Sequence, residues 1–327
     1  MSASEPAGTL EVSVVVPSHD RADRLATLLD ALAEQTLAPD RFEVVLAHTY
    51  DAGTAARLFD DHPLTRAGVL RPLAVDPGEA RAARQRNRGW RAARAPLIAF
   101  TDDDCRPTPD WLERLVDTHR DDGTIVQGAT WPDPREEHLL HECPHVRALR
   151  VDPPDRYAQT CNILYERSLL ERIGGFDERI VTGEDVDLFM RAQDAGARLV
   201  AAPDALTYHA VDALSLVDKI RSQHKWQHLA YLVKRQPRLR EHCEWGLWYK
   251  PEHSRAVLAL IATLGARRRR WMLAGLIPYI QLERYRHGPR KRAQLRAVRE
   301  MPGHWVVEIA EVGTFVVGSV RYRTILL

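Results

Sequence analysis

Short apolar runs alternate with segments of helical spacing through about the first hundred residues, and this alternation restricts the fold more than any other property of the chain. Residues 12–16 are valine-rich, as a strand buried on both faces requires, and Pro17-Ser18 ends the run. Leu25, Leu28, Leu29 and Leu32 then recur at helical spacing. Residues 42–47 and 69–75 supply two more strands, the Ala- and Arg-rich residues 78–94 a helix, and residues 97–101 a fourth strand. Strands and helices in this order predict βαβ units: an α/β fold with a mostly parallel central sheet and helices on both faces.

The fourth strand ends in three consecutive carboxylates, Asp102-Asp103-Asp104, ahead of Cys105. Acids crowded at a buried strand end repel one another unless a cation sits among them. A divalent ion with oxygen ligands, Mg²⁺ or Mn²⁺, is the simplest such partner and usually accompanies a phosphate-bearing substrate. The bland alternative is a solvated acidic turn before a helix starting near Pro109. Ligands of parallel sheets bind beyond the carboxyl ends of the strands. The loop after Val16 and the triplet should therefore share one edge, which favours a site.

Downstream, residues 111–115 begin a helix, and residues 124–130 and 158–165 read as strands. Residues 131–154 are proline-rich without a clear period, the pattern of a long functional loop. A helix over 168–173, the tight turn Gly174-Gly175-Phe176-Asp177-Glu178, a helix over 188–195 and a strand over 198–202, closing with Tyr208-His209, follow in order. From Leu214 the chain turns helical, basic and Trp-bearing, with one more helix expected over 305–317. We therefore expect a catalytic domain over 1–212 and a mainly helical region over 213–327, with residues 1–10 as a loose tail.

Charge separates these halves. Residues 213–327 carry 22 Lys and Arg against 8 Asp and Glu, whereas residues 1–212 carry 24 against 37. An acidic front suits a metal site, and a basic tail suits an anionic partner. At 45% hydrophobic and 28% charged residues, disorder is not the default. No window reaches the roughly 18–20 apolar residues that span a bilayer. The closest runs flank Arg267-Arg268-Arg269-Arg270 beside Trp271, which suits the surface of an anionic membrane, or plain solvation, better than nucleic acid. His138, His141, Cys143 and His145 are crowded but match no tetrahedral zinc spacing, and surface histidines are the simpler reading. Four scattered cysteines without a CxxC pair, and no signal-peptide pattern, point to reduced thiols and a cytoplasmic setting, peripheral on the inner membrane face if the basic region binds lipid.

Taken together, the motifs resemble those of the inverting family 2 glycosyltransferases with the Rossmann-like GT-A fold. The matching residues are Val14-Val15-Val16-Pro17-Ser18-His19-Asp20-Arg21, Gly78, Arg86-Asn87-Arg88-Gly89, Ala99-Phe100-Thr101-Asp102-Asp103-Asp104, the Gly174–Glu178 turn, Gly183-Glu184-Asp185-Val186-Asp187-Leu188 and Tyr208-His209. Each is weak alone, and their order and spacing are specific.

The resemblance implies metal-dependent transfer of a sugar from a nucleotide-diphosphate donor to a hydroxyl of a lipid-linked, polysaccharide or natural-product acceptor. It casts Asp102 at the donor's ribose or sugar, Asp104 as the metal ligand and Asp103 as support of the turn. His209 is either a metal or diphosphate contact or a neutral histidine at a strand end. Asp185 matches the general base, at a helix start whose dipole should keep it ionised with an ordinary carboxylate pKa. Glu184 or Asp177 could orient the acceptor. Pro17, Ser18 and Asp20 match the loop that cradles the nucleotide base, and Arg86 and Asn87 the segment beneath the donor. For most of Arg81, Arg84, Arg86 and Arg88 a solvated helix face is the simpler reading.

The sequence departs from the family where an Asp pair commonly reads uracil. Ala47-His48 stands there, with Asp51 out of register. That puts uridine in doubt and opens the site to a guanine or thymine nucleotide, with His48 or Tyr50 supplying the lost contact. A catalytically silent nucleotide-sugar-binding or scaffold protein is the competing function. The presence of Asp102, Asp104 and Asp185 together favours the enzyme.

Overall fold

The computed structural model describes residues 9–327, so the expected tail over residues 1–10 falls almost wholly outside the described residues. The chain divides into two compact units, residues 1–140 with 148–212, and residues 141–147 with 213–327.

The first unit is built on an eight-stranded sheet. Its strands are β1 (Val12–Ser18), β2 (Phe42–His48), β3 (Leu70–Ala74), β4 (Leu97–Thr101), β5 (Cys105–Pro107), β6 (Thr124–Pro132), β7 (Asn162–Glu166) and β8 (Arg198–His209), in the spatial order β3-β2-β1-β4-β7-β6-β8-β5. β3, β2, β1 and β4 are mutually parallel, as are β6 and β8. β7 runs antiparallel to both β4 and β6, and β5 antiparallel to β8. The principal helices are α1 (Ala22–Ala33), α2 (Ala52–Phe59), α3 (Ala82–Ala92), α4 (Trp111–Thr118), α5 (Arg167–Ile173) and α6 (Glu184–Asp194).

β1 is buried throughout, so its alternate valines feed two cores. Val12, Val14 and Val16 pack among Leu25, Leu28, Leu29 and Leu32 of α1 and Trp111, Leu112 and Leu115 of α4. Val15 points the other way, into a core with Trp90 of α3, Phe100 of β4 and Leu188 and Phe189 of α6. α3 rides close over β1 because Gly89 has no side chain: a Cβ there would lie 2.4 Å from Val15 Cγ1.

The structure extends three sequence expectations. The strand over 198–202 continues to His209, with a register shift between Gly128 and Ala129 of its neighbour β6 absorbing the irregularity. Between the acidic triplet and α4, the three-residue β5 pairs with the end of β8. The loop over 131–154 contains a short helix, His138–Glu142.

The second unit contains α7 (Pro251–Gly265), α8 (Ile277–Glu283) and α9 (Lys291–Tyr322). The helix expected over 305–317 is thus 32 residues long, with Pro302 inside it. Ala256, Ala259 and Tyr279 form a small core with Leu276, Met301, Trp305 and Ile309 around it. Among the described residues, no helix is long and apolar enough to cross a membrane.

Candidate active site

β1 and β4 are adjacent and parallel, so Ser18 and the acidic triplet emerge at the same sheet edge. Ser18 Oγ donates to Asp103 Oδ2 at 2.7 Å. That uses its only proton, so the Tyr50 hydroxyl, 2.7 Å away, donates to Ser18. The backbone N–H of Arg21 donates in turn to Tyr50 at 3.2 Å. Arg21 sits at the N-terminus of α1; its guanidinium bonds Asp104 Oδ2 and lies 3.2 Å from Asp103 Oδ1. Burial pushes the Asp103 carboxyl up to about 6, against the pull of Arg21 and Ser18. Pro17 is buried in the ladder opposite Ala47. Asp20 faces outward in a left-handed conformation (φ 55°) beside His19.

Arg86 is the residue that sequence reasoning undervalued. Its α3 neighbours Arg84 and Arg88 are partly or largely exposed, yet Arg86 is buried. One guanidinium nitrogen, Nη2, donates to Asp102 Oδ1 at 2.7 Å and the other, Nη1, to Glu184 Oε1 at 2.9 Å. Burial favours the neutral form of Asp102, but the Arg86 charge and hydrogen bond outweigh it and hold the carboxyl below its usual range. The guanidinium therefore links the triplet to the Gly-Glu-Asp motif at the start of α6.

Asp185 follows Glu184 and differs from the sequence expectation. An ordinary carboxylate pKa was expected from the helix terminus, and the structure pushes Asp185 up to about 7. Burial is the main cause and the adjacent Glu184 charge the second; Arg86 and the Val186 N–H, which donates to Asp185 Oδ1 at 2.8 Å, offset them only in part. A helix terminus contributes about 0.3–1 kcal/mol, too little to offset the desolvation and the Glu184 charge together.

Two candidate metal ligands converge through β5. Cys105 pairs with His209 across the β5–β8 ladder, which brings Asp104 Oδ1 to 3.5 Å from His209 Nε2. His209 Nδ1 lies 2.9 Å from the Ala210 carbonyl. A carbonyl only accepts, so Nδ1 carries a proton, which leaves Nε2 as the ring's candidate ligand atom on the carboxylate side. Two acceptors facing each other at this separation fit a shared divalent cation, with remaining positions left for substrate oxygens. Cys105 lies in the same group. Burial raises its thiol pKa, and a protonated thiol is a poor ligand for a hard cation.

Other expected site residues have protein partners. Asn87 was expected among the donor contacts, but its amide is saturated: Nδ2 donates to the Phe176 carbonyl and Glu178 at 2.9 Å, and Oδ1 accepts from Phe176 N–H and Trp90 Nε1 at 2.9 Å. It fastens the Gly174–Glu178 turn. Asp177 grips Arg179 with both carboxylate oxygens. Asp51 is used as the N-cap of α2, accepting from Gly53 and Thr54. His48 is buried, stacked on Tyr50 and edge-on to Phe59, with ring centroids 5.8 and 5.0 Å away.

A mostly parallel sheet carrying an acidic triplet at a strand end, with a candidate base at the start of α6, fits the GT-A class of nucleotide-sugar enzymes. The glycosyl transferase family 2 model matches residues 13–174, and this part of the chain is a family 2 glycosyltransferase domain. It is 29% identical to the glycosyltransferase AglE of Haloferax volcanii, over 61% of this chain and 66% of that one. It is 28% identical to the validoxylamine A glucosyltransferase of Streptomyces hygroscopicus subsp. limoneus, over 59% of this chain and 50% of that protein. The chain thus spans about half to two thirds of the length of these relatives. In fold it is similar to the mannosyltransferase PcManGT from Pyrobaculum calidifontis, solved in complex with GDP-Man and Mn²⁺: TM-score 0.54, 18% identity, covering 98% of this chain and 89% of that one.

Proposed function

We propose that this chain transfers a sugar from a nucleoside-diphosphate donor to an acceptor hydroxyl, with inversion at the anomeric carbon and Asp185 as the general base. The observation that carries this reading is the Arg86 bridge. One buried cation holds Asp102 at 2.7 Å and Glu184 at 2.9 Å, so the donor-side acid and the neighbour of the base share one rigid frame. The acceptor oxygen forms a bond to the anomeric carbon as that carbon's bond to the donor phosphate breaks. The electron pair leaves with the nucleoside diphosphate, and the acceptor proton passes to Asp185. A carboxylate with its pKa raised to about 7 takes that proton more readily than an ordinary one. Mg²⁺ or Mn²⁺ held by Asp104 and His209 would neutralise charge on the departing diphosphate. Mn²⁺ in the fold neighbour is consistent with that choice.

Without the acidic pair at residues 47–48, the base is read by other groups, which favours guanine or thymine over uracil. Residues 1–212 serve the donor and the chemistry, and residues 213–327 serve the acceptor, a membrane surface or an oligomer. In the second unit Leu258, Ile261, Leu264, Trp271 and Ile277 are all exposed near Arg267–Arg270 in sequence, a composition suited to an anionic lipid surface carrying a lipid-linked acceptor. Polysaccharide or natural-product hydroxyls are the other acceptor classes.

Thermal shift against a panel of nucleotide sugars with Mn²⁺ or Mg²⁺ identifies the donor, and NMR of the product fixes the anomer. A retained anomeric configuration, or full transfer by Asp185→Asn, would refute the mechanism. Binding to anionic vesicles that weakens with salt is expected, and no binding at low salt overturns the membrane reading.

A further inference from the structure

The second unit contains a cluster that neither the family nor the proposed chemistry uses. His253, near the start of α7, has 0% of its surface exposed. Glu308 and Glu311, three positions apart and so on one face of α9, are 4% and 5% exposed. His253 Nε2 lies 3.5 Å from Glu308 Oε2 and 3.5 Å from Glu311 Oε2. His253 Nδ1 has no hydrogen-bond partner, and Nε2 faces only the two carboxylate oxygens. Lys250 Nζ reaches the same two carboxylate oxygens at 3.1 and 2.8 Å.

An ion pair explains the lysine and the glutamates. It does not explain the histidine. An imidazole packed beside the rings of Tyr249 and Phe315, with Nδ1 unpartnered and Nε2 reaching only carboxylate oxygens at 3.5 Å, is costly where an apolar side chain of similar volume would fit. Its position supplies the reason. One nitrogen and two carboxylate oxygens within 4.8 Å of one another form a three-ligand set. Bonds of about 2.0–2.1 Å to a tetrahedral ion place ligand atoms roughly 3.3–3.4 Å apart, close to the separations seen here. Nitrogen with carboxylate oxygen suits Zn²⁺ and its first-row neighbours better than Mg²⁺ or Ca²⁺.

We propose that His253, Glu308 and Glu311 form a second divalent-metal site of the Zn²⁺ class, joining α7 to α9, and that the Lys250 ammonium fills it when no metal is bound. The Lys250 side chain is about one-third exposed, so it can withdraw toward solvent as the ion enters. The exchange replaces one positive charge by two, matching the two glutamates, and leaves a fourth position for water.

The test uses the full chain in an Asp104→Asn background, which weakens metal binding at the donor edge. After chelation, Zn²⁺ titration should show one tight equivalent per chain, and Co²⁺ should give the d–d absorption of a tetrahedral site. His253→Gln should abolish both. Lys250→Met should tighten Zn²⁺ at least tenfold and lower the melting temperature in chelator, with Zn²⁺ restoring it. This gain-of-affinity variant keeps the proposal testable if His253→Gln fails to fold. An unchanged Zn²⁺ stoichiometry in His253→Gln would assign the ion to surface histidines, and unchanged affinity in Lys250→Met would leave a plain ion-pair network; either result overturns the proposal.

Discussion

Asp185→Asn should remove catalysis and, above neutral pH, make the protein more stable. Loss of a general base costs typically 10²–10⁴-fold in rate. The stability effect follows from the raised pKa. The environment of folded Asp185 raises its pKa to about 7, from about 4 for an ordinary aspartate. Between these values the native state holds one more proton than the unfolded chain, so this group lowers stability by about 1.4 kcal/mol for each pH unit of increase. The penalty therefore grows between pH 5 and pH 8 and is flat beyond. Asparagine resembles the protonated acid and carries no such penalty. Urea denaturation of both proteins in chelator should therefore show the stability difference moving in favour of the variant by roughly 2–3 kcal/mol from pH 5 to pH 8. In the same frame, kcat/KM of the wild type should fall on the acid side with an apparent pKa near 7. A variant whose relative stability does not change between those pH values would refute the buried, proton-holding base, whatever its activity.

Arg86→Met leaves the partly buried Asp102 and Glu184 without their shared cation and should destabilise the protein by roughly 1–3 kcal/mol in urea unfolding; Arg86→Lys should recover only part, because one ammonium cannot reproduce the two-nitrogen bridge. Removing divalent metal, or substituting Asp104→Asn, should abolish the donor-dependent rise in melting temperature, worth about 2.7 kcal/mol in wild type at a donor concentration 100 times Kd. Gly89→Ala places a methyl group 2.4 Å from Val15 Cγ1 and should destabilise by roughly 1–3 kcal/mol in a thermal melt; no effect would mean that α3 can lift from β1 freely.

The parts of the fold that repeat are the parts a sequence displays. The valines of β1 and the leucines of α1 carry their periods openly, and both expected elements form. β5 has three residues and no period, so nothing marks it, although it brings His209 to Asp104. Arg86 stands in a row of arginines that reads as a wet helix face. Its role depends on Asp102 and Glu184, 16 and 98 positions away, which helical spacing cannot reveal. For Asp185 the sequence shows a helix start but not the burial that sets its proton affinity. Asn87 fits a donor motif, and only the folded turn shows its amide already occupied. The helix expected over 305–317 already includes Glu308 and Glu311; what it misses is 291–304, where Pro302 and a run of charged residues hide the helix, and 318–322.

The pairing of Cys105 with His209 has a consequence for how such a chain can diversify. Side chains alternate along a strand, so slipping β8 by one residue against β5 would send the imidazole to the opposite face. The spacing of the two candidate ligands is fixed by main-chain register, and a single inserted residue in 102–107 or 206–209 should be as damaging as deleting a ligand. The segment over 133–150 is tied to that ladder only at its start, where the Asp133 N–H donates to the His209 carbonyl at 2.8 Å, the Asp133 carboxylate holds Arg106 of β5, and Glu136 accepts from the Val211 N–H. Changes of length should therefore be damaging at 102–107, 206–209 and 133–136, and better tolerated further along the long loop. Exchanging that loop between relatives should alter acceptor choice while leaving donor affinity unchanged.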